Sequence, residues 1–241
     1  MCLCILAHQQ LKTYPTIVAA NREERYARPA TMPAWSEGVF AGRDTLAGGT
    51  WQGLNANGLH VALTNRSGAT NAPERRSRGQ LCIDALRRHS ARAATDWLLD
   101  HLLHVRYNPC NLLVSDGAQA FAIHYDGRDA RPITLGPGLH LLSETDINDP
   151  DHPRIQRARA ALTPLPSDWP TLKKKLSALM ADHSRDGAIC LHGERGGTRS
   201  SALLALRERS LFSGQFHFAD GPPCTVPYQD LSTELTHYRG Q

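Results

Sequence analysis

The chain begins Met1-Cys2-Leu3-Cys4-Ile5-Leu6-Ala7. Leu3 to Ala7 is a short apolar run of the length and kind that makes a buried strand. A cysteine directly follows Met1. Loss of Met1 would leave Cys2 with a thiol and a free α-amine on one residue. Such an amine titrates near pH 8, roughly, so it can accept a proton from a neighbouring thiol at neutral pH. Nucleophile and base would then belong to the same residue, the logic of an N-terminal nucleophile. Position alone leaves the plainer reading open, in which Cys2 is a small apolar residue that happens to be second.

Thr16-Ile17-Val18-Ala19-Ala20 is β-branched and apolar and reads as a second strand, paired with the first as a hairpin through His8 to Pro15. It is expected to end at Asn21-Arg22-Glu23-Glu24-Arg25, where the sequence turns charged. An arginine one strand away from Cys2 would stabilise a thiolate there. Val39 to Asp44 and Gly48 to Leu54 suggest short strands about a glycine-rich turn. Leu59 to Thr64 is the returning strand, ending at Asn65-Arg66. Asn65 is an amide donor at a strand end, suited to an oxyanion hole or to an Asx turn.

Gly79 to Val105 has helical spacing with a break near Ser90. Asn111 to Ser115 and Gln119 to Tyr125 are two further strands, and Gly138 to Ser143 another, ending at Glu144-Thr145-Asp146. Pro153 opens a helix to about Leu162, and Ser167 or Asp168 caps the next. Gly196 to Ser201 reads as a compact polar turn before Ala202 to Leu206. Leu211 to Phe218 is a closing strand carrying Phe212, Phe216 and Phe218, and the polar tail after Pro222 is expected to be loosely held. Hairpins, then paired helices, then strands favour α+β layers with antiparallel sheets over an alternating parallel sheet. No repeat or linker divides the 241 residues, which are expected to form a single domain, 1–241.

Lys and Arg number 27 against 23 Asp and Glu, a net charge of +4 that is too small to argue for nucleic acid. The densest basic run, Glu74-Arg75-Arg76-Ser77-Arg78, reads as a solvated loop, with phosphate or carboxylate binding as the alternative because guanidinium forks suit both anions. The six cysteines form no CxxC pair and no zinc spacing, and the twelve histidines no HExxH, so no metal site is expected. With no signal peptide and no membrane span, a cytoplasmic protein with reduced thiols is the default. The oligomeric state cannot be read from the sequence.

Several motifs occur in a fixed order: Met1-Cys2, Ala19-Ala20-Asn21-Arg22-Glu23-Glu24 with Arg28-Pro29, Ala41-Gly42-Arg43-Asp44, Gly48-Gly49-Thr50-Trp51, Leu63-Thr64-Asn65-Arg66, Tyr107-Asn108 with Asn111-Leu112-Leu113, and Gly197-Thr198-Arg199-Ser200-Ser201. Together they resemble the NRDE family, also called the transport and Golgi organisation protein 2 family, over nearly the whole chain. The resemblance implies an N-terminal-nucleophile (Ntn) hydrolase-like fold, a four-layer αββα sandwich of two antiparallel sheets between helix layers. It also implies the cysteine type of that superfamily, as in bile-salt hydrolases and penicillin V acylases, in which an N-terminal cysteine attacks an amide of a small molecule. Carried over by position, Cys2 is the catalytic nucleophile, Arg22 and Glu23 or Glu24 its supporting arginine and acid, Asn65 the oxyanion-hole amide and Arg199 the late arginine. Asn21, Glu24, Arg66 and Glu144 are the substrate-binding candidates. Glu23 stands where the family has aspartate, and Glu144 where it usually has asparagine. No cofactor is required on this reading. The alternative the resemblance implies is a non-catalytic haem or acyl-lipid binding and trafficking protein, with His60, His140, His192 or the cysteines as iron ligands.

Overall fold

Alternation along the first two strands sets the layers. The computed structural model describes residues 2–68, 72–184, 186–207 and 210–238. In β1 (Leu3–Leu11), Leu3, Ile5 and Ala7 face one core while Cys4 and Leu6 face another. In β2 (Tyr14–Arg25), Ile17 and Ala19 share the first core, and Val18 and Ala20 the second. Side chains on successive strand residues point to opposite faces, so a sheet apolar on both faces must be covered on both.

The outer cover of this sheet is a helix pair, α3 (Pro153–Leu162) and α4 (Trp169–Met180). Pro153 opens the first, and the Asp168 carboxylate caps the second by accepting from Thr171 N–H at 2.9 Å, as the sequence leads one to expect. Ile155, Leu162, Leu172 and Leu176 pack onto Ile5, Ile17 and Leu203. The inner face meets a second sheet built from β3 (Ala34–Ser36), β4 (Val39–Ala41), β5 (Gln52–Asn55), β6 (His60–Asn65), β7 (Cys110–Ser115), β8 (Ala120–Tyr125) and β9 (Ala130–Leu135), paired in that order. On its far side lie α1 (Arg78–Leu86) and α2 (Ala91–His104), separated at Ser90, whose side chain caps α2. The first sheet is completed by β10 (Gly138–Leu142), β11 (Gly196–Arg207), β12 (Ser210–Ala219) and β13 (Gln229–Asp230), in the order β10-β1-β2-β11-β12-β13. All pairings within the two sheets are antiparallel. Helix layer, sheet, sheet and helix layer make the αββα sandwich.

Three local expectations are corrected. β2 does not end at Asn21 but runs through the charged residues to Arg25. It can do so because it lies inside its sheet, with β1 on one side and β11 on the other, and because its buried polar side chains Asn21, Arg22 and Glu23 find partners. Gly196 to Ser201 is not a turn but the first half of β11, paired from Gly196↔Arg25 to Ser201↔Asn21 with a bulge between Thr198 and Ser200. The described residues after Pro222, 223–238, are not loose. They form β13 and the short α5 (Ser232–Thr236), with Leu231 and Leu235 in the inter-sheet core, and the Trp35 indole donates to the Leu235 carbonyl at 3.1 Å. Phe216 and Phe218 line that core as expected, while the Phe212 side chain falls outside the described residues. Among the described residues, no helix is long and apolar enough to cross a membrane.

Asn21 shows how β2 is anchored to the helix layer. Its amide nitrogen donates to the carbonyls of Met180, at the end of α4, and Ile189, both at 3.0 Å, and the residue is fully buried. Asn21→Ala strips two buried carbonyls of their donor, a desolvation loss of about 2 kcal/mol or more. A lowered urea midpoint with unchanged slope is the expected result; a change below about 0.5 kcal/mol, the size of an ordinary surface effect, would contradict this anchoring role.

Candidate active site

Cys2 precedes β1 at the end of the inter-sheet cleft. Register places Leu3 opposite Asn21 on β2 and Cys4 opposite Leu142 on β10, and Ser143 Oγ donates to the Cys2 carbonyl at 3.2 Å. Cys2 is therefore pinned between the charged end of β2 and the end of β10. It lines an open cavity of about 470 Å³ together with Arg22, Glu23, Glu24, Asn65 and residues of the Gly-rich and Arg-rich loops.

Arg22 is nearly buried, and its charge is held from two sides. Its guanidinium lies 4.3 Å over the Trp51 ring and 3.9 Å from the Asp44 carboxylate. Asp44 is fixed in turn by Arg28 at 2.6 Å and by main-chain amides of Leu46 and Ala47, which hold its carboxyl below the usual range although burial works against its charge. Glu24 pairs with Arg28 at 3.7 Å. The glycines of Gly48-Gly49-Thr50-Trp51 make the placing of Trp51 feasible. A Cβ on Gly49 would stand 2.3 Å from the Gly79 carbonyl carbon, so only glycine lets this loop meet the start of α1.

Glu23 points the other way, into the α3 layer. It takes an ion pair from Arg154 at 2.9 Å, and Thr198 Oγ1 lies 3.4 Å from the same carboxylate oxygen. Burial holds its carboxyl above the ordinary range, against the pull of Arg154 and Thr198. Burial likewise pushes the Cys2 thiol up and the Glu23 charge adds to it; a Glu23 main-chain hydrogen bond and the Arg22 charge pull it back. A thiol so held is a weak nucleophile until a base takes its proton.

Asn65 ends β6 at the cavity wall, exposed, and its side-chain amide makes no hydrogen bond among the described residues. Arg199 occupies the β11 bulge, half-buried and close enough to Arg22 for the two charges to repel; its Nε has no hydrogen-bond partner among the described residues.

Three substrate-binding expectations are not met. Asn21 is consumed by the α4 anchor. Arg66 is bound to Asn111 Oδ1 at 3.0 Å and Asp146 at 2.5 Å, and lines a separate shallow recess together with Glu144. Glu144 is engaged by Ser143 Oγ and by His152 at 3.3 Å. Burial works against its charge, but these contacts leave its carboxyl below the usual range. Strand-end residues that adjoin in sequence leave their strands in different directions, which motif order does not reveal.

Sequence reading also passed over the residues that complete the wall. Asp44 and Trp51 lay in recognised motifs without a role. Arg75 and Arg78 lay in the run taken for a solvated loop, although its anion-binding alternative is the one their position favours. Arg75 donates to the Tyr107 carbonyl and Arg78 to the Pro109 carbonyl, each at 2.8 Å, and neither forms an ion pair with a carboxylate among the described residues. Of the histidines considered as iron ligands, His60 is buried and driven down to about 4 by that burial, His140 meets the Gly136 carbonyl at 2.8 Å, and His192 is exposed. None of the three lines the cavity.

Similar architectures recur among solved structures. A variant of conjugated bile acid hydrolase from Clostridium perfringens aligns with a TM-score of 0.62 at 10% identity, covering 98% of this chain and 95% of that one. The Caenorhabditis elegans ortholog of N-acylethanolamine-hydrolyzing acid amidase gives 0.56 at 12%, covering 83% and 91%. Penicillin V acylase from Agrobacterium tumefaciens gives 0.55 at 10%, covering 100% and 89%. These likenesses establish the Ntn-hydrolase fold. In sequence, the Transport and Golgi organization 2 homolog of Mus musculus is 31% identical over 154 residues, 57% of this chain and 53% of its own length. The Homo sapiens homolog is 32% identical over 155 residues with the same coverage, so the chain spans about half the length of the curated relatives it matches. The model of the family Transport and Golgi organisation 2 matches residues 1–207, and the chain belongs to that family.

Proposed function

We propose that this chain is a cysteine-type N-terminal-nucleophile hydrolase that cleaves a carbon–nitrogen amide bond of a small molecule bearing an anionic group. One observation carries the reading: Cys2, just before β1, Arg22 on β2 and Asn65 at the end of β6 share the wall of one cavity. The names of the solved relatives, an amidase, a conjugated bile acid hydrolase and an acylase, support the reaction class.

The chemistry requires Cys2 to carry the chain's free α-amine. That amine takes the thiol proton, and the thiolate, favoured by Arg22, attacks the amide carbonyl carbon. The carbonyl oxygen becomes an oxyanion facing the Asn65 amide, a donor with no hydrogen-bond partner among the described residues. The carbon–nitrogen bond breaks, the α-ammonium gives its proton to the departing amine, and the acyl group stays on sulfur as a thioester. Water then attacks the thioester, losing a proton to the α-amine, and the carboxylic acid leaves with the sulfur restored to a thiol. The Glu23 carboxylate is paired with Arg154, so its part is to position β2. Arg75 and Arg78 supply the anion preference, because among the described residues their guanidiniums donate to main-chain carbonyls and pair with no carboxylate.

Intact mass of the purified protein is expected to show Met1 absent. Incubation of that form with a broad set of acyl amides is expected to give an acyl adduct that maps to Cys2 and is missing from Cys2→Ala, whose hydrolysis rate falls by about 10³-fold or more. No adduct across the set, in protein proven to lack Met1, would remove the proposal.

Arg75→Gln and Arg78→Gln are each expected to raise KM about tenfold for an amide carrying a carboxylate or phosphate, the loss of one charge-assisted hydrogen bond. KM for a neutral amide of the same size should stay within about twofold. Equal losses on both substrates would show that these arginines merely support the loop.

A further inference from the structure

A second cluster of reactive side chains lies outside the cavity, where the connection from α4 to β11 meets the segment after β12. Cys190 Sγ is 3.7 Å from Cys224 Sγ and 3.7 Å from His192 Nε2, and Cys224 Sγ is 3.2 Å from the same nitrogen. His183 completes the group: its ligating nitrogen lies within 4.8 Å of those of His192 and Cys224, and its ring stands 5.6 Å from that of His192. In a tetrahedral zinc site the bond lengths place two sulfurs about 3.8 Å apart and a sulfur and a nitrogen about 3.6 Å apart. The Cys190–Cys224 and Cys190–His192 edges, each 3.7 Å, match that triangle, the Cys224–His192 edge at 3.2 Å is shorter, and His183 stands beside its open corner.

The main chain holds these groups in place. The Asp182 carbonyl accepts from the amides of both Ile189 and Cys190 at 2.8 Å, closing the loop that carries His183 toward Cys190. Leu191, between two of the candidate ligands, donates to Thr198 Oγ1 at 2.9 Å and accepts from Thr198 N–H at 2.8 Å, and His192 bridges to Gly197. Cys224 sits on a turn in which Thr225 and Val226 both donate to the Pro222 carbonyl. Cys190 is buried, Cys224 is half-buried and both histidines are exposed, so an ion could enter from solvent and be held from within.

We propose that Cys190, His192, Cys224 and His183 form a binding site for a thiophilic d¹⁰ cation, zinc(II). The two thiols lose their protons to solvent on binding, and both histidines bind as neutral imidazoles. The bound ion ties the segment leading to β13 and α5 to the start of β11. That start carries Thr198, whose hydroxyl reaches Glu23, and the Arg199 bulge, so the metal stiffens the corner on which the charged end of β2 rests. Local spacing concealed the site: two ligands come from 190 and 192, the others from 183 and 224.

Cobalt(II) tests this directly, added to the full chain purified under reductant without a metal-binding tag. The expected result is one cobalt per chain, a thiolate-to-cobalt charge-transfer band with intense tetrahedral d–d absorption, and bleaching of both by zinc. Cys224→Ser should lose about half of the charge-transfer intensity and weaken zinc by at least about tenfold, since even changes one shell out cost that much. His183→Ala, at an exposed position and safe for folding, should alter the d–d bands alone. Cys2→Ala should leave the spectrum unchanged whether or not the hydrolase reading holds. A weak octahedral spectrum without charge transfer, a spectrum abolished by Cys2→Ala, or a Cys190–Cys224 disulfide that persists in protein purified under reductant would each overturn the proposal.

Discussion

Side-chain alternation along β2 is the constraint on which the rest depends. Four consecutive polar residues at its end are sorted to two sides of the sheet. Asn21 and Glu23 go to the α3–α4 layer, where they take Met180, Ile189 and Arg154 as partners. Arg22 and Glu24 go to the cavity, where they take Trp51, Asp44 and Arg28. A slip of one residue would exchange the two sets and leave two charges buried without partners. The register is therefore specified by electrostatics at one end of the strand as strongly as by the apolar residues Ile17 to Ala20 at the other.

This sorting bears on the two positions at which the chain departs from its family. Glu23, a methylene longer than aspartate, spends its extra reach toward α3, where Arg154 meets it; the pair is enclosed, and removing either partner would leave a buried charge. The departure thus falls on the scaffold side of the strand. Glu144 stands where an amide donor is usual, but Ser143 and His152 turn its carboxylate into a neighbouring recess, away from the cavity that Asn65 lines.

The layers were legible in the sequence because they follow from periodicity. Apolar strands in hairpins, a helix pair broken at Ser90, and caps at Pro153 and Asp168 all mark local boundaries. The charged half of β2 and the polar half of β11 were not legible, since each looks like a turn until the other is placed beside it. For the site, the motifs that carried Cys2, Arg22 and Asn65 were enough to bring those residues to one cavity. Neighbours of these motifs misled: Asn21 and Arg66 each sit one position away from a cavity residue, and one position in a strand is the opposite face. Arg154 lies 131 residues from Glu23 and carries no local signal at all. The same holds for Cys190 and Cys224, which are 34 residues apart and whose sulfurs meet only through the fold.

Charge distribution around the cavity links the scaffold to its chemistry. Five arginines line it, Arg22, Arg28, Arg75, Arg76 and Arg78, against the carboxylates of Glu23, Glu24 and Asp44. Arg28 is spent on Asp44 and Glu24, and Arg76 on Asp84, so the excess positive charge rests on the Arg22 side near Cys2 and on Arg75 and Arg78 across from it. A concave wall of one sign concentrates its field in the opening and draws anions toward it. Near the sulfur that field pulls toward thiolate but only partly offsets the push of burial and Glu23, which leaves the thiol raised to about 11. Across the cavity it acts on any anion that enters. In the proposed reaction the two effects share one source but act on different atoms, so a neutral amide would meet the same nucleophile yet lose its hold on the far wall.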